Sequence, residues 1–298
     1  MRFRQSEISS FQRCRRKHHF RYNKNVVPVS IGPRRPASGK RDAGSAAHKG
    51  IEVINNGGTL TLARNEVTLY VNELRMIRQP EGHVLPPLTK EGDKEWWEID
   101  RLARAMTENY VEWLAEGNDI GIDIEYVEEE WECLIPGTDF ILYGMIDLAF
   151  FDPLVRGYVI RDNKSVAAFN QTPEDVDFQL RTYAWAFWRL TGHLPKRAEH
   201  LMMKRVLGTG KATPPFFERY PIQVTKRILE SHEAQLIERC REIAMARRRT
   251  ADHPTLWPNP TKDCSWDCDY RALCPMVDDG SDWEDVLEYD FVAISDDE

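Results

Sequence analysis

Two neighbouring stretches, "FILYGMIDLAFFD" (140–152) and "GYVIRDNKSV" (157–166), constrain this chain more than any other part of it. Both read as β-strands, short and rich in β-branched and aromatic residues. Each carries a carboxylate inside an apolar run, Asp147 in the first and Asp162 in the second. Side chains alternate along a strand, so Asp162 and Lys164 share one face, which Ile160 continues. Charges in the middle of a sheet cost free energy unless something pairs with them. Either these two pair with each other at an edge, or they hold something.

If the two strands are neighbours in one sheet, Asp147 and Asp162 converge. Carboxylates that close repel, and one takes up a proton unless a cation sits between them. A divalent ion removes the conflict, and oxygen donors with open water positions suit Mg²⁺ or Mn²⁺. Lys164 would then lie where it orients a water or steadies charge on a phosphorus-bound oxygen.

The surrounding pattern is α+β. Ser6 stands where it would cap a helix over about 7–23, and 28–44 is a Pro/Gly-rich basic loop. "SAAHKGIEVINNG" starts a helix that stops at Gly57-Gly58, and 60–80 and 92–116 read as helices. From Ile122 the period changes to two, and three strands follow as an antiparallel meander with a turn at 136–139. A helix over 173–192, strands in "RAEHLMMKRV" and "FERYPIQV", and a helix over 225–249 complete the pattern. "LGTGKATPP" (207–215) is no phosphate loop, because Arg205 stands where the first glycine belongs and Ala212 replaces the Ser/Thr. The expected organisation is a basic helix at 1–30, a helical region at 31–120, a sheet-bearing core at 121–250, a Cys-rich segment at 251–277 and an acidic tail at 278–298.

The net charge of −8 is unevenly spread. The tail holds ten acids and no Lys or Arg, and without it 40 basic residues face 38 acidic ones. The first 49 residues hold thirteen Lys or Arg against two acids. The tail is expected to be solvated and mobile, with mimicry of DNA as the alternative. Arg13, Arg15, Arg16, Lys17 and Arg21 make either a solvated face or contacts to a phosphate backbone. No apolar run reaches the roughly 18 residues of a membrane helix, and the basic start lacks an apolar signal core, so a cytoplasmic protein is expected. Clustered cysteines in such a protein argue for metal before disulfide. Cys264, Cys268 and Cys274 form the cluster, Cys14 stands alone near the start, and Cys133 and Cys240 read as buried thiols. Trp266 lies inside the cluster, with packing or DNA contact as its roles.

Asp147 followed by Asp162-Asn163-Lys164 on the next strand resembles the core of the PD-(D/E)XK nucleases. His48 upstream, Gly144 to Asp147 as G-x-x-D, and Gln179 with Tyr183 as Q-x-x-x-Y downstream resemble the RecB-like branch. The resemblance implies a mixed central sheet flanked by helices. It makes His48, Asp147, Asp162 and the Asn163 carbonyl ligands of Mg²⁺ or Mn²⁺. It makes Lys164 the catalytic lysine and places Gln179 and Tyr183 beside the site. One N-terminal cysteine plus a C-terminal trio resembles the iron–sulfur members of that branch: CRISPR-associated exonucleases, phage-encoded relatives and the nuclease part of AddB-type subunits. In them four thiolates hold a [4Fe–4S] cluster; zinc, which also takes four thiolates, is the alternative. The first gap of the trio is one residue longer than the commoner spacing, Arg15 follows the lone cysteine where Pro is frequent, and Ile146 replaces the Pro of the PD element. Joining Cys14 to Cys264 closes a 250-residue loop, worth on the order of 5 kcal/mol of lost chain entropy.

The resemblance implies a metal-dependent DNA exonuclease acting on single-stranded ends with 5′→3′ polarity. It would serve phage recombination and repair or CRISPR-type end processing, with recombination or adaptation proteins as partners. The alternative is a catalytically silent DNA-binding adaptor that keeps the nuclease fold.

Overall fold

The computed structural model describes residues 1–28, 39–78, 84–169, 177–207, 213–253, 255–265 and 268–293. Trp266, most of the basic loop, the centre of the 207–215 loop and the last five residues of the tail lie outside them. The chain divides into two compact units. One comprises residues 1–36, 134–143 and 233–298; the other comprises 37–133 and 144–232.

The first unit opens with β1 (Arg2–Arg4), α1 (Gln5–Arg13), α2 (Arg15–His18), a π-helical turn (His19–Asn23) and β2 (Val26–Pro28). The single helix expected over 7–23 is therefore broken, and Ser6 lies inside α1 rather than capping it. The break is Cys14, extended at φ −161° and ψ 117°. In that conformation its Sγ accepts the N–H of Lys17 at 3.4 Å and so caps α2. Glu7, buried on α1, takes His18 Nε2 at 2.9 Å and three Arg247 contacts at 2.7, 2.8 and 3.1 Å.

The far end of the chain is folded too. After a 3₁₀ turn (Lys262–Ser265) come helices over Leu273–Asp279 and Trp283–Asp290, then a strand, Phe291–Ala293, antiparallel to β2. The acidic tail expected at 278–298 thus forms helices and a strand over 278–293, although its helix Trp283–Asp290 stays solvated, with no fully buried residue. Trp283, Val286, Leu287 and Phe291 recur at helical spacing among the acids and pack on Phe20 and Tyr270. Phe20, Tyr270 and Phe291 stack in series, and the Tyr270 hydroxyl donates to the Val26 carbonyl at 2.6 Å. Net charge masked that apolar stripe.

The second unit carries helices α3 (Gly39–Asn55), α4 (Leu60–Arg78) and α5 (Lys94–Ala115). Its sheet uses β3 (Asp123–Leu134), β4 (Ile141–Asp152), β5 (Gly157–Val166), β6 (Arg197–Lys204) and β7 (Phe217–Gln223), with α6 (Phe178–Thr191) between β5 and β6. β3 pairs with β4, β4 is antiparallel to β5, β5 parallel to β6, and β6 antiparallel to β7. This is an α+β fold with a mixed central sheet flanked by helices. The first residues of β4 belong to the other unit, where they pair in parallel with β1.

Small residues let α3 approach the sheet closely. Ala43, Ala46, Ala47 and Ile51 are buried on one stripe. A Cβ on Gly44 would collide with the Ser165 side chain of β5, and one on Gly50 with Thr107 and Val67. Leu201, Met203 and Phe217 pack on that side with α3 and α5.

Strand β5 is charged on both faces. Arg161, fully buried, donates to Asp119 at 2.6 and 2.9 Å and to Glu199 at 2.7 and 2.8 Å. Removing one member of a buried ion network leaves its partners charged and uncompensated, which costs about 3–5 kcal/mol. Arg161→Ala should lower the unfolding free energy in urea by about that amount; an unchanged midpoint would mean that Arg219, 2.6 Å from Asp119, and Arg197, 2.9 Å from Glu199, neutralise the two acids without it.

Candidate active site

The β4–β5 ladder runs from Asp152↔Gly157 to Leu148↔Arg161. Beyond it the next backbone donor, Asn163 N–H, is taken by the Asp147 carboxylate at 2.7 Å. A side chain thus replaces the neighbouring strand's backbone as acceptor, which brings Asp147 against β5. On β3, Glu128 adopts φ +47°, a left-handed conformation rare for a residue with a Cβ. Such strained positions cluster at functional sites. Four residues after Gly44, and so on the same helical face, α3 presents His48.

These three side chains meet. His48 Nδ1 lies 3.7 Å from Asp147 Oδ2 and 3.8 Å from Glu128 Oε1. One ligand atom from each lies within 4.8 Å of the others, and among the described residues this is the group placed to hold a metal ion. The separations are too long for direct hydrogen bonds and suit atoms arranged around a common cation.

The electrostatics show the same vacancy of charge. Burial, then the neighbouring Asp162, pushes the Asp147 carboxyl up to about 7, against the pull of His48. Burial disfavours charge on His48, but Glu128 and Asp147 outweigh it and hold its pKa above the ordinary value. A mixed imidazole and carboxylate set short of positive charge fits Mn²⁺ or Mg²⁺.

Asp162 stands beside this group rather than within it. Its Oδ2 accepts from Lys164 Nζ at 2.8 Å and from His200 Nδ1 at 2.8 Å. Burial would raise its pKa, yet Lys164 and His200 depress it below the usual range. Burial likewise opposes the charge on Lys164, and Asp162 raises its pKa regardless. Lys164 Nζ also donates to Gln179 Oε1 at 2.9 Å, and Gln179 Nε2 donates to the Tyr183 hydroxyl at 2.8 Å. Gln179 and Tyr183, one turn apart on α6, thus orient the lysine. Asn163 is buried, and its Oδ1 has no hydrogen-bond partner.

Of the residues singled out from sequence, the structure brings His48, Asp147, Asp162, Asn163, Lys164, Gln179 and Tyr183 together. Three others at the site escaped sequence reasoning. Glu128 sits in "VEEEWE", where alternation cannot distinguish it from its acidic neighbours once the strand kinks. His200 interrupts the apolar strand "HLMM", the same signal that exposed Asp147. Asp177 precedes α6, and its carboxylate caps the helix by accepting from Leu180 N–H at 2.6 Å.

In the other unit, Cys14, Cys264, Cys268 and Cys274 line one cavity of about 560 Å³, with Arg13, Lys17 and Arg271 on its wall. All four are free thiols. Cys14 Sγ also accepts from Asn259 N–H, and Cys264 Sγ accepts from Thr261 N–H, both at 3.4 Å. Cys133 and Cys240 are buried away from this cavity. The expectation that Arg16 contacts phosphate is corrected, because its guanidinium points inward to the Leu256 and Cys274 carbonyls and Asp278. Arg15 pairs with Glu242 at 3.3 Å and lies over Trp257.

A mixed sheet carrying acid, acid and lysine on adjacent central strands defines a nuclease fold. The family model of the PD-(D/E)XK nuclease superfamily matches residues 2–275, and the chain belongs to that superfamily. Its members are nucleases that act on DNA and typically use divalent metals. Among solved structures, that of SSO0001 is similar at 13% identity over 78% of this chain and 84% of that one, with a TM-score of 0.34. A proposed exonuclease from Eubacterium rectale is similar at 11% identity over 82% and 80%, with a TM-score of 0.38. A comparison with curated proteins returned no match. No helix among the described residues is long and apolar enough to cross a membrane.

Because Asp147 keeps its proton up to about pH 7, an incoming cation must displace it. Apparent Mn²⁺ affinity should therefore rise as pH climbs through about 7, with proton release seen by calorimetry in buffers of different ionisation enthalpy. In the ion-free protein the same raised pKa makes folding stability fall as pH rises from the ordinary value of 3.8 to about 7 and level off above it, since over that window the folded state holds a proton that the unfolded one has lost.

Proposed function

We propose that this chain is a metal-dependent deoxyribonuclease of the RecB-like, iron–sulfur branch, hydrolysing phosphodiester bonds at single-stranded DNA ends. One observation carries the reading. Lys164 Nζ is held between Asp162 and Gln179, at 2.8 and 2.9 Å, beside the His48–Glu128–Asp147 group. His48, Glu128 and Asp147, with Asp162 adjacent, would hold a divalent ion, which would supply Lewis acidity for water and for the phosphoryl oxygens.

The chain's own groups do the rest. Lys164 presents an ammonium whose pKa stays above the ordinary value, so it donates to the attacking water or to the oxygen that gains charge. Gln179 and Tyr183 keep that ammonium from swinging into solvent. The 5′→3′ polarity and a role in phage recombination or CRISPR-type end processing come from the resemblance of the motifs.

Four thiols around one cavity support a resident [4Fe–4S] cluster. Zinc, which also takes four thiolates, is the alternative. Backbone N–H donors to Cys14 and Cys264 suit thiolates in such a cluster. The bound cluster would tie residue 14 to residues 264–274 and shape the DNA path, with Arg13 and Lys17 beside it.

Asp162→Ala and Lys164→Ala should each reduce Mn²⁺-dependent digestion of end-labelled single strands by at least about 10²–10³-fold, with a cooperative melting transition retained but lowered, most in Asp162→Ala, which strips a buried counter-charge from Lys164 and His200. Substrates blocked at the 5′ or 3′ end give polarity in the same assay. Variants that digest normally would remove this site assignment, and DNA binding without product in any divalent metal would favour the silent adaptor. Anaerobically purified protein should absorb near about 400 nm, and Cys14→Ser should lose that band and melt earlier; colourless protein containing zinc would overturn the cluster.

A further inference from the structure

Strand β6 pairs in parallel with β5 so that His200 lies directly beside Asp162. Both nitrogens of the buried imidazole are engaged by carboxylates. Nδ1 lies 2.8 Å from Asp162 Oδ2, and Nε2 lies 3.2 Å from Asp177 Oδ2. A ring that serves two carboxylates donates from both nitrogens and carries a positive charge. Asp177 in turn caps α6 through Leu180 N–H, two residues before Gln179. Gln179 accepts from Lys164, and Lys164 donates to Asp162.

These contacts close a ring. It runs from Lys164 to Asp162 on β5, to His200 on β6, to Asp177 at the start of α6, along two residues of chain to Gln179, and back to Lys164. Three separate elements are joined through side chains alone, and His200 is the member that links the sheet to the helix.

We infer that His200 is a positioning residue for the reaction, tying the Asp162 carboxylate to the start of α6 so that Lys164 is presented in one orientation. This deepens the nuclease reading and rests on it. His200 acts through its contacts to Asp162 and Asp177. Without it, Asp162 Oδ2 keeps Lys164 but loses the contact that ties it to β6 and α6, while the capping carboxylate of Asp177 is free to rotate and Gln179 shifts with the first turn of α6. Asp162 borders the proposed ion group, and removing outer partners of a metal site alters ion affinity by about 10- to 100-fold. Misplacement of a catalytic group by about 1 Å costs on the order of 100-fold in rate.

Three variants separate the links. His200→Leu removes both donors at similar volume. His200→Asn keeps a donor near the Nδ1 position, toward Asp162, and loses the one toward Asp177. Asp177→Asn keeps the helix cap, since Asn caps as well as Asp, and weakens the tie to the imidazole. Each is compared with the full-length protein for kcat and KM on single-stranded DNA and for Mn²⁺ affinity by calorimetry without DNA.

His200→Leu should lower kcat by about 100-fold with KM for DNA within about threefold, and weaken Mn²⁺ binding by about tenfold. His200→Asn should recover most of the Mn²⁺ affinity but not all of kcat, and Asp177→Asn should lower kcat with Mn²⁺ affinity unchanged. If His200→Leu fails to fold, the other two still decide the matter, because each keeps a polar group in place. Wild-type kcat and Mn²⁺ affinity in His200→Asn and Asp177→Asn would overturn the inference while leaving the nuclease reading intact. A wild-type protein that neither binds Mn²⁺ nor cleaves DNA would instead overturn that reading and this inference with it.

Discussion

The second unit is organised by the need to give each buried charge on strand β5 a partner of opposite sign. A central strand offers no solvent to its side chains, and an unpaired charge there is expensive. Arg161 on one face is satisfied by Asp119 and Glu199. Asp162 on the other is satisfied by Lys164 and His200. Asp147 is the exception. It has a backbone N–H and a distant imidazole but no full counter-charge, and its carboxyl holds a proton up to about 7 as a result. An acid left short of positive charge inside an otherwise balanced network is where the proposed cation would be held.

The same constraint explains the small residues around it. Gly44 and Gly50 let α3 settle on Ser165 of β5 and against α4 and α5. One turn on from Gly44, His48 arrives beside Asp147 and Glu128. Gly144 does similar work on β4, where a Cβ would press on the Trp131 ring at 3.0 Å. Trp131 in turn packs edge-on against Tyr183, 6.3 Å between centroids. Close packing on one side and aromatic contact on the other hold the polar site between rigid elements.

The first unit follows different physics. Its core is a stack of aromatic rings closed by a two-stranded pairing of residues 26–28 with 291–293. The thiols of residues 14, 264, 268 and 274 share one cavity although 250 residues separate the first from the second. Holding such distant segments together opposes a large loop entropy, and the aromatic stack does part of that work. The acids of residues 278–293 ride on the outside of this core, which is why a charge count read them as a free tail.

Local pattern sufficed for the strands, the long helices and the pair of acids interrupting two apolar runs, because alternation and helical period depend only on neighbours in the chain. It also sufficed for Asp162 and Lys164 sharing a face. It failed wherever a residue's meaning lies across the fold. Glu128 is one of three consecutive glutamates until a backbone kink aims it at His48. His200 becomes the neighbour of Asp162 only through the parallel register of β5 and β6, and Arg16 turns inward only because residues 256, 274 and 278 surround it. Period is a property of a segment, whereas charge pairing and ligand geometry are properties of the distances between segments, and those distances exist only once the chain has packed.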